Sequence, residues 1–258
     1  MLLAIDIGNT NIHFGMYDGS TWCCTWRART IHDKMSDEYA VLLRSFFEEQ
    51  GLTLADVGDV VMASVVPNLT STFIEMARRY LKCDPLNVTA EVKTGIQVLI
   101  DSPQEIGADR VVNAAAVNKL YGGPAIVVDF GTATTYDVIN RRGDYVGGVI
   151  TTGITLAHDA LVSRTAQLRK VDLAAPPSVI GRSTVHAMQS GLFLGYVAAL
   201  EGLVMRIKQE LGEPDARVIA TGGLAPLFAE QTPAIDEIAP NLTLDGLQII
   251  HAMNRPRT

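Results

Sequence analysis

Leu2-Leu3-Ala4-Ile5-Asp6-Ile7-Gly8-Asn9-Thr10-Asn11 and, in the second half of the chain, Ala125-Ile126-Val127-Val128-Asp129-Phe130-Gly131-Thr132-Ala133-Thr134-Thr135 follow one plan. An apolar run ends in an Asp-x-Gly corner and continues into threonine. Such a run reads as a buried strand, and the glycine corner as a turn into a second strand where a ligand can approach the backbone. After the first corner come a strand over residues 11–17, the turn pair Asp18-Gly19 and a strand over 21–28. After the second come strands over 134–139 and 145–150, joined by a turn at 140–144. Helical patterns follow at 36–50, with Gly51 as the stop, and at 67–80, 107–120, 154–164, 183–211 and 244–253. Short strands are expected at 60–65 and 217–220. The same order of elements in both halves points to an internal duplication. The expected fold is α/β with two like domains, residues 1–118 and 119–258, and a ligand cleft between them.

The composition narrows the partners. The 258 residues are 48% hydrophobic and 19% charged, which fits a packed globular chain and not a disordered one. The mean hydropathy of +0.19 leaves apolar surface for a subunit contact. The net charge is -7, and no stretch gathers Lys and Arg, so a broad nucleic-acid surface is not expected. Cys23, Cys24 and Cys83 have no framework spacing and read as reduced thiols of a cytoplasmic protein. The five histidines do not combine with them at zinc-site spacing. The first residues lack a basic stretch, so no signal peptide is expected. No apolar run looks as long as a membrane span, so no membrane partner is expected either.

Four motifs can carry chemistry. In the first corner, the N–H groups of Gly8 to Asn11 and the Thr10 hydroxyl can donate to phosphate oxygens, and Asp6 can orient a hydrated Mg²⁺. The same residues also make an ordinary strand–turn–strand corner. There is no Gly-Lys-Ser/Thr, and a strand follows, so this is not a Walker A loop. The second corner offers matching parts, although its three threonines also suit a strand. Gly107-Ala108-Asp109-Arg110 opens a helix. Asp109 can take a proton from a substrate hydroxyl at an ordinary carboxylate pKa, and Arg110 can hold a carboxylate. An acid in a first helical turn also simply favours the helix dipole. Thr221-Gly222-Gly223-Leu224 is either a nucleotide-facing turn or a plain strand-to-helix link. The helix from residue 183 carries Gly191, Gly195 and Gly202, which allow close packing within the chain or across a dimer.

Taken together, Asp6-x-Gly8-Asn9-Thr10, Gly107-Ala108-Asp109-Arg110, Asp129-Phe130-Gly131-Thr132-Ala133-Thr134 and Gly181-Arg182-Ser183-Thr184 resemble the type III pantothenate kinase family, in family order over nearly the whole chain. The resemblance implies two duplicated ribonuclease-H-like, actin-like ATPase domains. It implies transfer of the ATP γ-phosphoryl group to pantothenate, giving 4′-phosphopantothenate, the first step toward coenzyme A. Asp6, Ile7, Gly8, Asn9, Thr10, Asn11, Ile12 and His13 would surround the ATP phosphates, with Thr132 also touching ATP. Gly107, Ala108, Asp109 and Arg110 would contact pantothenate, with Asp109 as general base, and Thr184 would contact it near a homodimer interface. Asp129 would ligate K⁺ or NH4⁺. Ile100, in Ile100-Asp101-Ser102-Pro103, stands where many members carry a substrate-facing Tyr. The alternatives are another small-molecule kinase of the same superfamily and a non-catalytic nucleotide-binding regulator.

Overall fold

The computed structural model describes residues 1–255. The chain forms two compact units, one of Met1–Leu120 together with the residues from Asn241 on, the other of Tyr121–Pro240. In the first, β1 (Leu2–Ile7), β2 (Asn11–Tyr17) and β3 (Trp22–Arg29) form an antiparallel meander. On the other side of β1, β4 (Asp59–Ser64) pairs in parallel and carries the two-residue edge strand β5 (Leu86–Asn87). Alternation along the strands divides the apolar residues between two cores. Leu3, Ile5, Ile7, Ile12 and Phe14 pack on α1 (Ser36–Glu48) and α2 (Pro67–Met76), through Tyr39, Leu43, Phe47 and Phe73. Leu2, Ala4 and Val61 face the opposite way, toward Val112 and Ala115 of α3 (Ala108–Leu120). The expected helix over 67–80 keeps its α geometry to Met76, then loosens into a π turn, Ala77–Leu81, that Lys82 ends at φ 59°.

The second unit repeats this plan. β6 (Ala125–Phe130), β7 (Ala133–Ile139) and β8 (Tyr145–Thr152) form the meander; β9 (Arg217–Thr221) pairs with β6 in parallel, and β10 (Glu237–Ile238) lies at the edge. Its strand order, β8-β7-β6-β9-β10, is that of β3-β2-β1-β4-β5. The helices are α4 (Ile154–Ser163), α5 (Thr184–Gln189), α6 (Gly195–Leu211) and α7 (Ala225–Ala229). Phe130, Phe193 and Phe228 stack at the centre of its core. A π turn, Ser190–Leu194, joins α5 to α6, so Thr184–Leu211 runs as 28 helical residues. An 18-residue window of it has mean hydropathy 1.4, and 22% of that window is buried. By length and composition alone this helix is apolar enough to cross a membrane; its Leu, Phe, Val and Ala residues raise the hydropathy, while Gln189, Ser190 and Glu201 interrupt the apolar run that the sequence reading looked for.

The last helix, α8 (Leu242–Asn254), returns to the first unit. Leu244, Leu247 and Ile250 enter its second core, the Trp22 indole N–H donates to Asp245 Oδ1 at 2.7 Å, and the Thr243 hydroxyl meets Asn113 Oδ1 at 2.8 Å. A β-carbon on Gly246 would stand 2.3 Å from the Val112 carbonyl oxygen, so glycine sets how close α8 and α3 come. The expected second domain, 119–258, included this helix. The structure separates the two because the apolar face of α8 matches the core beneath β1.

Candidate active site

The first corner is a tied loop. The Gly8 N–H donates to the Asn11 carbonyl at 3.1 Å and closes the turn. Thr30, just beyond β3, braces it from the side: its N–H donates to the Thr10 carbonyl at 2.9 Å and its hydroxyl to the Gly8 carbonyl at 2.7 Å. The Gly8 amide, expected to reach a phosphate, is thus spent inside the loop, while Asn9, Thr10 and Asn11 are exposed at the tip. Asp6 is partly buried at the end of β1, and its cross-strand neighbour is His13, which is buried. Burial, aided by the Arg27 guanidinium, lowers the His13 pKa to about 4, so its imidazole is neutral at physiological pH. Ile7 and Ile12 are fully buried core residues, so their contribution to the corner is to fix its base.

The entry to α3 lies beside this corner. The Val65 N–H, just past β4, donates to the Ile7 carbonyl at 3.1 Å. A β-carbon on Gly107 would stand 3.4 Å from the Val65 side chain and 2.5 Å from Asp109 Oδ1. Any side chain at 107 would therefore strike the Asp109 carboxylate. The Gly107 carbonyl accepts the Arg110 and Val111 N–H groups and starts the helix, and Asp109 Oδ1 accepts the Arg110 N–H at 2.9 Å. Burial pushes the Asp109 carboxyl above the ordinary range, against the downward pull of the Arg110 amide and guanidinium. The ordinary pKa assumed from sequence did not foresee this burial. Residues 6–13 and 107–110 thus gather at the carboxyl ends of β1 and β4, where ligands of open α/β sheets bind. Ile100 sits apart from them in sequence, partly buried in an irregular segment before the 3₁₀ turn Pro103–Glu105.

In the second unit Asp129 ends β6, between Thr221 of β9 and Thr135 of β7 in register. Gly222, at φ 89°, comes against it: a β-carbon there would stand 2.6 Å from the Phe130 carbonyl oxygen and 2.8 Å from Asp129 Oδ1. Only glycine can come this close to these two oxygens in that backbone conformation. The three threonines have separate duties. Thr134 is buried and its hydroxyl hydrogen-bonds the Tyr196 hydroxyl, which donates its proton to the Thr152 carbonyl at 2.7 Å. The Thr135 hydroxyl lies 3.4 Å from Asp137 Oδ2, and Thr132 is exposed at the turn. Gly153, before α4, lies under this turn, where its β-carbon would be 2.2 Å from the Thr132 carbonyl oxygen. Thr184 is the exposed first residue of α5, which Ser183 caps by accepting the His186 N–H at 3.2 Å. Among the described residues, no three His, Cys, Asp or Glu side chains gather into a metal cage.

Sequence reasoning missed Thr30, Gly153 and Tyr196. Each acts through a partner distant in the chain, and none lies in a motif; only the strand order brings them to the corners.

A family model described as type III pantothenate kinase matches residues 2–206. The chain belongs to the type III pantothenate kinase family. A protein named type III pantothenate kinase from Paramagnetospirillum magneticum is 51% identical, with 98% of each chain covered. Another of that name from Moorella thermoacetica is 48% identical over 98% of this chain and 100% of its own. Among solved structures, a protein described as a Baf family transcriptional activator from Campylobacter jejuni superposes with TM-score 0.63 at 19% identity, over 98% of both chains. One described as an N-acetylglucosamine kinase from Porphyromonas gingivalis gives 0.54 at 13%, over 98% and 99%. These distant likenesses speak for the fold, which is the duplicated ribonuclease-H-like architecture of actin-like ATPases and sugar kinases. In this type III pantothenate kinase sequence the two corners occupy equivalent places in the two sheets.

Proposed function

We propose that the protein transfers the γ-phosphoryl group of ATP to the 4′-hydroxyl of pantothenate. The observation that carries this reading is Asp109, a carboxylate held by burial and Gly107 beside the tied corner of residues 6–13, in a chain 51% identical to a type III pantothenate kinase. Asp109 accepts the hydroxyl proton, and a raised pKa makes it the better base. Arg110 and Thr184 are the expected polar contacts of pantothenate, with Gly107 and Ala108 leaving it room and Ile100 offering an apolar one. Asn9, Thr10 and Asn11, with Thr132, are the expected contacts of ATP. Phosphoryl transfer then rests on positioning and charge stabilisation.

Two ions suit the donor sets. Mg²⁺ needs few protein ligands when phosphates and water supply the rest, and Asp6 is the expected one. A monovalent cation suits hard oxygens such as Asp129 Oδ1 and the Phe130 carbonyl, which a side chain at Gly222 would crowd. When bound, these ions neutralise phosphate charge.

The helix Thr184–Leu211 supports a homodimer. Gly191, Gly195, Ala198 and Ala199 lie on its exposed side, and a β-carbon on Gly191, Gly195 or Gly202 would touch nothing within the chain. Exposed Val185 and Met205 extend that apolar surface. Cys23, Cys24 and Cys83 are free thiols, which suits the cytoplasm, where ATP is available.

The test is ADP release from ATP and Mg²⁺, with and without pantothenate, in K⁺ and in Na⁺ buffer. Turnover that requires pantothenate and is stimulated by K⁺ is expected. Equal ADP release with and without pantothenate, in K⁺ and in NH4⁺, would overturn the assignment.

A further inference from the structure

The corner of residues 6–13 contains no Lys or Arg, and His13 sits buried in its base. A triphosphate there meets one carboxylate and neutral groups. Strand pairing supplies what the motif lacks. Asp6, His13 and Arg27 are cross-strand neighbours on β1, β2 and β3, and Arg29 pairs with Asn11 at the loop. Cys24, Trp26 and Ala28 pack on the core beneath α1, so alternation turns Arg27 and Arg29 to the other face of the sheet. On β1 that face carries Leu2, Ala4 and, in the same alternation, Asp6. The three side chains Asp6, His13 and Arg27 therefore form one row, about 10 Å across for two strand spacings. Both arginines are exposed, and no carboxylate among the described residues engages either one. The equivalent row of the second unit reads Thr221, Asp129, Thr135 and Ile150 and carries no cation.

We propose that Arg27, with Arg29 beside it, is the cationic contact of the ATP polyphosphate, supplied by β3 and not by the phosphate motif. This rests on the reading that residues 6–13 take the phosphates. A guanidinium gives paired, directional hydrogen bonds to phosphate oxygens. Thr30, three residues after Arg27 and next to Arg29, holds the loop through the Gly8 and Thr10 carbonyls, so cation and loop are registered to one another.

The experiment is Mg-nucleotide binding by calorimetry for the full chain and for Arg27→Gln, Arg27→Lys and Thr10→Ala, with ATP, ADP and AMP as probes. Arg27→Gln is expected to weaken ATP about 10- to 100-fold, ADP less and AMP by under about twofold, as for loss of a charge-assisted hydrogen bond. Arg27→Lys should restore part of the loss. In steady state, Arg27→Gln should raise the KM for ATP and leave that for pantothenate unchanged. The thermal midpoint should not move, since Arg27 is exposed. ATP binding unchanged in Arg27→Gln but weakened in Thr10→Ala overturns the proposal and spares the phosphate corner. ATP binding unchanged in both variants removes the corner and Arg27 together. Equal weakening of ATP and AMP overturns it by showing a general effect on the site.

Discussion

At the scale of single residues, the base role proposed for Asp109 sets catalysis against stability. Its carboxyl is held up by burial, so the folded chain binds that proton more tightly than the unfolded chain does. The sign follows: stability from this group is full below the unfolded pKa and is lost as pH rises through the folded one. Above that range an ionised Asp109 costs stability, a cost that the proposed base role would require. Asp109→Asn should lower kcat about 10²- to 10⁴-fold, the usual loss for a general base. Its thermal midpoint should match wild type at about pH 3 and equal or exceed it at about pH 8. The acid limb of the wild-type kcat/KM profile should fall above the ordinary aspartate range. Near-normal turnover in Asp109→Asn would take the base role away. The motif holding Asp109 was legible in the sequence, because Gly-Ala-Asp-Arg is compact and distinctive. What was not legible is why position 107 is glycine: the Asp109 oxygen 2.5 Å from its missing β-carbon is a fact of the helix entry, not of the motif.

At the scale of elements, the strand pattern was the readable part. β1 and β6 fall where their continuous apolar runs put them, and the strand Asn11–Tyr17 follows the first corner as expected, because a strand buried on both faces leaves an apolar run bounded by turn residues. The edge strands β5 and β10 left none, being two residues each. The Thr221-Gly222-Gly223 turn had two open readings, and its geometry favours a role at Asp129. Gly222→Ala should be strained at φ 89° and also press on the Phe130 carbonyl and Asp129. We expect it to cost about 1–3 kcal/mol of stability and to raise the K⁺ concentration needed for half-maximal activation. Calorimetric unfolding and a K⁺ titration of turnover check the two effects separately. An unaltered K⁺ titration in a destabilised variant would detach Gly222 from the cation.

At the scale of the whole molecule, duplication is written in the strand order, since two five-stranded sheets share one sequence of neighbours. It was legible because both corners kept their Asp-x-Gly. The allegiance of the last helix was not, because an amphipathic stripe says that a face is buried and not which core buries it. Assembly is tested on the helix Thr184–Leu211. Gly195→Glu places a charge on its exposed small-residue side, where the chain itself offers no obstruction. We expect sedimentation to show a dimer for wild type and a monomer for the variant, with far-ultraviolet circular dichroism unchanged. A wild-type monomer at micromolar concentration would end the homodimer reading.

The return of α8 to the sheet of β1 also orders events during synthesis. β1 is made long before the helix that completes its packing: on that side Leu2 and Ala4 have Val112 and Ala115 of α3, but lack Leu244, Leu247 and Ile250 until α8 is made. Meanwhile the residues between, Tyr121–Pro240, hold all the strands of their own sheet. The second unit can therefore complete its packing before the first, and loss of α8 harms the sheet of β1 rather than the unit that precedes α8 in the chain.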